Sequence, residues 1–208
     1  MTQRRKWTAI PGLLALAIGA VVLSAYSGAS SSQGNSPDQP VRFPHPRHAG
    51  PVANGGLGLN CLYCHNTANK SQDVGMPAVN TCMGCHTAVR GSTDRAKTEI
   101  GKLVKYATDQ KPVPWVRIHK VPEYVHFPHV RHVNAGVTCQ TCHGQVQTMD
   151  RVYQYSSLNM GWCVNCHVNG YDPQEGLRAA GYAPDTARVT TPAAQRKRAA
   201  YDCATCHY

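Results

Sequence analysis

Ten cysteines dominate the chemistry of this 208-residue chain, and they fall in five pairs of one spacing: Cys61 and Cys64, Cys82 and Cys85, Cys139 and Cys142, Cys163 and Cys166, Cys203 and Cys206. A histidine follows each pair, at His65, His86, His143, His167 and His207, so the words read CLYCH, CMGCH, CQTCH, CVNCH and CATCH. Two thiols three residues apart lie on one side of a helical turn. There they can add to the two vinyl groups of one porphyrin while the histidine reaches the iron. The pattern therefore predicts five covalently attached haems c, with no cysteine left over. Zinc would pair two such clusters per ion and leave one of five stranded. A disulfide scaffold gives no reason for a histidine after every pair.

A second histidine set stands apart from these words. His45 and His48 lie in FPHPRH, and His129 and His132 in FPHVRH, with His119 and His126 nearby. A low-spin haem iron needs a second axial ligand, so five haems need five groups beyond the five proximal histidines. Six further histidines meet that need. Two histidines three apart share a helix face, and their rings can reach two different irons.

The rest of the chain must position these groups. It has only two Phe, 7% aromatic residues, 18 Gly and 14 Pro, too little apolar bulk to build an interior unaided. The formal charge of +10 would suit nucleic acid or an anionic surface. With ionised propionates, each ferric haem brings about −1 and each ferrous haem about −2, so many Lys and Arg read as propionate partners and nucleic acid is not expected.

Trp7 to Tyr26 carries no charge and follows Arg4, Arg5 and Lys6. That length suits a single membrane-spanning helix with its N-terminus in the cytoplasm and the haem part on the extracytoplasmic side of the inner membrane. A cleaved secretory signal is the competing reading. The expected organisation is an anchor over 1–27, a flexible linker over 28–42, a dihaem module over 43–110, a second over 111–170, and a segment with the fifth haem over 171–208. The fold class is mostly α and irregular, short helices and loops wrapped around haems, with no strand. An amphipathic helix is expected from Ser92 or Thr93 to before Pro112, with Ala96, Ile100, Leu103, Val104 and Ala107 on one face. A shorter one is expected from Asp172 to Gly181, and another from Ala193 into the last haem word, with Arg196, Lys197 and Arg198 on a solvated face.

The histidine word ahead of CxxCH sites resembles the cytochrome c3 and c7 type of multihaem cytochrome. That resemblance implies that His45 serves the haem of Cys61 and Cys64, and His48 that of Cys82 and Cys85. It likewise gives His129 to Cys139 and Cys142, and His132 to Cys163 and Cys166. The stretch from Trp115 to His167, with the five haem words and the N-terminal anchor, is similar to the pentahaem cytochrome c subunit of alternative complex III. This implies a relay from an iron–sulfur subunit, beside polytopic quinol-binding membrane subunits, to a monohaem cytochrome c or other periplasmic redox protein. For the fifth iron His119 is the first choice; Met160, Met149, Met76 and His126 are the alternatives. No catalytic residue is expected. The other readings are a single-helix quinol dehydrogenase of the NapC and NrfH kind and a free periplasmic electron reservoir.

Overall fold

The computed structural model describes residues 4–26, 32–172 and 198–207, with side chains of the N-terminal helix described from 11 to 22. The helices are α1 (Arg4–Tyr26), α2 (His45–His48), α3 (Cys61–Cys64), α4 (Val79–His86), α5 (Asp94–Thr108), α6 (His129–Asn134), α7 (Cys139–His143), α8 (Met160–Asn169) and α9 (Cys203–Cys206). Among the described residues there is no strand, only an isolated antiparallel bridge between Val125 and His207. No helix among them is long and apolar enough to cross a membrane. The expected helix between Asp172 and Gly181 lies outside the described residues from 173 onward.

Local chemistry accounts for the short helices that carry the cysteines. Asn60 accepts the Leu62 N–H at 2.8 Å, Asn159 the Trp162 N–H at 2.8 Å and Asp202 the Thr205 N–H at 3.1 Å. Each is an N-cap that satisfies an amide with no partner in the first turn. The caps of α3 and α9 sit one residue before a cysteine, so the helical turn that puts two thiols on one side begins at the first thiol.

The amphipathic helix forms as α5, capped by Thr93 Oγ1 on the Ala96 N–H at 3.2 Å. Lys102 pairs with Glu99 at 2.7 Å and Lys105 with Asp109 at 3.0 Å on its exposed side. Leu103 from its apolar face is buried with Val41 and Val113, against Val79, Cys82 and Met83 of α4 and against Tyr106 and Trp115. The other buried apolar residues among those described are Ala68 and Tyr171. The side chains thus make a small core under one pair of helices, and most of the chain is held by hydrogen bonds.

The stretch expected as a flexible linker is tied down in its described part. Gly34 N–H donates to the Gln154 carbonyl at 2.8 Å, and Gln154 N–H returns to Asn35 at 3.0 Å. Gln39 brackets Val116, its side chain bonding both the amide and the carbonyl at 2.9 Å. Arg151 pairs with Asp38, and Arg42 with Asp150. The leading strap therefore lies along the second half of the chain.

The tail also departs from expectation. A helix running from Ala193 into the fifth word would include 198–202, yet these residues are not helical and α9 starts at Cys203. The reason is competition for backbone groups. Ala199 N–H bonds the His167 carbonyl at 3.4 Å, and the Ala200 carbonyl is taken by the His167 ring at 2.6 Å.

Eleven residues after His48 fold back over α2, where the second copy of the word needs only a short turn. Leu57 and Leu59 N–H donate to Arg47 and His48 carbonyls, each at 3.0 Å, and Gly58 N–H to Gly50 at 3.0 Å. A Cβ on Gly56 would collide with the Gly50 backbone, whereas one on Gly101, within α5, meets nothing within 4 Å. We predict that Gly56→Ala lowers stability by about 2–3 kcal/mol through overpacking, while Gly101→Ala raises it by about 0.5–1 kcal/mol. Urea midpoints of the two holoprotein variants should move in opposite directions.

Candidate haem-binding sites

The histidine words fold identically in two places. In the first, the Phe43 ring stands edge-on to His45 at 4.8 Å and 82° and stacks on His48 at 4.3 Å and 25°. In the second, Phe127 stands edge-on to His129 at 4.9 Å and 89° and stacks on His132 at 4.3 Å and 27°. The proline of each word opens the helix, and its carbonyl takes the ring of the second histidine: His48 Nδ1 to Pro44 and His132 Nδ1 to Pro128, both at 3.0 Å. Phenylalanine and proline are therefore parts of the device. Their signal in the sequence is the repetition of F-P ahead of both histidine pairs.

A carbonyl can only accept, so a ring bonded to it through Nδ1 keeps its proton there and leaves a lone pair on Nε2. Five histidines meet this condition: the two above, His86 on Val89 at 2.9 Å, His129 on Gln72 at 3.3 Å and His167 on Ala200 at 2.6 Å. This is the second-shell bond that metal-binding imidazoles use to fix tautomer and orientation. Burial holds the His48, His65, His129 and His132 rings below the usual histidine range, so they are neutral at pH 7. Burial, with His65 and His48 close by, takes His45 down to about 4. His143 falls to about 3, through burial first and then the proximity of His119, His129 and His65.

The rings come together in pairs. His48 faces His86 at 6.1 Å between centroids, His129 faces His143 at 6.4 Å and His132 faces His167 at 6.0 Å. Two imidazoles sharing one metal through bonds of about 2 Å each have centroids roughly 6 Å apart. His45 lies beside His65, and its Nδ1 is buried without a hydrogen-bond partner, an orphan atom in keeping with a ligand role. The structure thus sets each of these histidines beside the haem word of its own half to which the family resemblance would assign it.

The cysteines fit thioether attachment. Burial raises Cys64, Cys82 and Cys163, and takes Cys142 up to about 12. At these four positions the surroundings disfavour the thiolate that a zinc site needs, whereas Cys61 is drawn down to about 6 by the Cys139 side chain. Among the described residues no disulfide forms, and no group of three or more His, Cys, Asp or Glu gathers as a metal site of its own. Donors that come as opposed histidine pairs suit a metal whose other ligands are supplied by a ring.

The fifth word is held differently. His126 N–H bonds the Cys206 carbonyl at 2.7 Å, Val125 bridges His207, and the Tyr124 ring stacks on His207 at 5.7 Å and 24°. His119 is placed against the third word, edge-on to His143 at 4.3 Å, with its Nε2 buried and without a hydrogen-bond partner. Gln72 Nε2 donates to His126 Nδ1 at 3.0 Å, which leaves that ring's proton on Nε2. The Met149 methyl packs over Gly144 beside Tyr155, and Met160 and Met76 are exposed.

Removing a splint should loosen two ligands at once. We predict that Phe43→Ala costs about 2 kcal/mol and alters two low-spin haem signals in electron paramagnetic resonance. Phe127→Ala should alter a different two, and a change common to both variants would contradict the assignment.

Comparison with known proteins agrees with this geometry. Residues 125–208 match the family model described as cytochrome c7 and related cytochrome c. The chain is 26% identical over 152 residues, 64% of its length and 69% of the relative's, to the menaquinone reductase multihaem cytochrome c subunit of Nitratidesulfovibrio vulgaris strain Hildenborough. Over residues 125–208 the chain is thus similar to cytochrome c7 and related cytochrome c, and over a longer stretch to a multihaem cytochrome c subunit.

Proposed function

We propose that this chain is a membrane-anchored pentahaem cytochrome c, an electron-relay subunit of a quinol-oxidising complex of the alternative complex III kind. The observation that carries the reading is the set of opposed histidine pairs with Nδ1 fixed on carbonyls. When bound, haem c supplies a one-electron ferric–ferrous couple. The chain's own residues do the rest. The five CxxCH words hold the ring and the proximal side. His45, His48, His129 and His132 close the distal side of four sites against water or a substrate. At His48, His86, His129, His132 and His167 the Nδ1–H is fixed on a carbonyl, so these rings would need to gain or lose no proton when the charge on a bound metal changes.

Closed sites favour electron transfer over substrate chemistry, so the chain is proposed to act with partners: an iron–sulfur subunit, polytopic quinol-binding subunits, and a monohaem cytochrome c or other small redox protein outside the membrane. The anchor is proposed in the N-terminal segment that contains α1; its described part does not by itself meet the length and apolarity of a membrane span, but it exposes Leu13, Leu14, Leu16, Ile18, Val21 and Val22, an apolar surface that a lipid environment would cover. It would place the haem part on the extracytoplasmic side.

A second reading concerns direction. The relative's name is that of a menaquinone reductase subunit, which suits electrons delivered to quinone rather than withdrawn from quinol. Both readings require a quinone-reactive partner in the membrane.

Purification from native membranes under mild detergent tests the proposal. The expected result is copurification with an iron–sulfur subunit and polytopic membrane subunits, with the intact chain's mass raised by five haems. A lone water-soluble chain, or fewer covalent haems, would contradict it. Quinol oxidation by the isolated chain would instead favour the single-helix dehydrogenase class. Reduction kinetics of the complex with menaquinol and with an external donor distinguish the two directions.

A further inference from the structure

The five haem words follow one another along the chain as first (61–65), second (82–86), third (139–143), fourth (163–167) and fifth (203–207), but their order in space is different. The first and second words share α2, whose His45 lies beside His65 and whose His48 faces His86. Their thiols are neighbours as well, Cys64 with both Cys82 and Cys85.

Next to the first word in space is the third. The Cys61 and Cys139 side chains are neighbours, and so are His65 and His143. The backbone repeats the contact: His129 N–H bonds the Gln72 carbonyl at 3.1 Å and Val130 N–H bonds Ser71 at 3.2 Å, so the segment after the first word holds α6. That helix joins the third word to the fourth, since His129 faces His143 and His132 faces His167. Cys142 lies near both Cys163 and Cys166.

Between the fourth word and the fifth, the His167 ring bonds Ala200, three residues before Cys203, and Cys163 neighbours Cys206. The contacts named so far join the second word to the first, the first to the third, the third to the fourth and the fourth to the fifth.

From these contacts we infer that the five sites form a single unbranched line in the order second, first, third, fourth, fifth, whose ends are the Cys82–Cys85 and Cys203–Cys206 sites. The inference rests on the haem-binding reading above. It has a structural meaning for the duplication: the two dihaem modules meet through their first words, head to head, so the second copy runs outward in the opposite sense to the first. The third site occupies the middle, and its proximal His143 is crowded by histidines from three other segments, His65, His119 and His129. Partners that exchange single electrons with the chain would meet those two ends, and the first, third and fourth sites would be interior steps.

Iron-edge anomalous diffraction from crystals of the holoprotein tests the order directly. Five iron peaks are expected, each assigned by its proximal histidine, with nearest-neighbour contacts His86–His65–His143–His167–His207. An iron at His207 whose nearest neighbour is that of His86 or His65 would overturn the line, as would irons at His65 and His143 that are not neighbours. Fewer than five irons would strike at the haem-binding reading, whereas five irons in another order would overturn this inference alone.

Discussion

A neutral imidazole carries one proton, and which nitrogen keeps it decides whether the other can bind a metal. Here the choice is made by backbone carbonyls at Pro44, Pro128, Val89, Gln72 and Ala200. Much of the remaining architecture serves to bring those carbonyls into place. A proline that opens a four- or six-residue helix fixes one acceptor; Gln72, reaching α6 from the first half, supplies another. The non-helical approach to α9 supplies a third. A helix there would have kept the Ala200 carbonyl for itself.

Such a device suits a chain with little apolar core. Among the described residues Val41, Leu103 and Val113 form the one cluster of buried apolar side chains, and it lies under α4 and α5 rather than among the histidines. Elsewhere the order comes from backbone hydrogen bonds between distant segments, such as Gly34 with Gln154 and Val130 with Ser71. Each net bond contributes about 1 kcal/mol, whereas ordering a residue costs about 1–2 kcal/mol. Covalent attachment of rings at the haem words, proposed at five places and clamped by a distal histidine at four, would supply the cross-links that such a balance calls for.

The sequence disclosed the chemistry more fully than the layout. The CxxCH words and the repeated FPHxRH are local, so their spacing suggested the ligand types, and the structure sets the His48 ring opposite His86 and the His132 ring opposite His167. The helix after Thr93 was legible because a cap, an apolar stripe and two prolines mark it within twenty residues. The strap at 33–42 was not. Its Ser, Gly and Pro content suggests a free chain, and its partners, Gln154 and Val116, are more than seventy residues away. Nor could spacing place His119. It precedes the second histidine word like a spare ligand, but the fold sets it against His143. The fold-back over α2 likewise explains why the two words stand at different distances from their haems, a difference that had no local reason in the sequence.

The central claim is that four histidine pairs close four irons. Low-temperature electron paramagnetic resonance of the fully oxidised holoprotein measures this most directly. The account predicts low-spin ferric signals from at least four irons, with conversion of one to high spin in His48→Ala and of a different one in His132→Ala. High-spin signal from more than one iron in the unsubstituted protein, or low-spin signals unchanged by both substitutions, would contradict it.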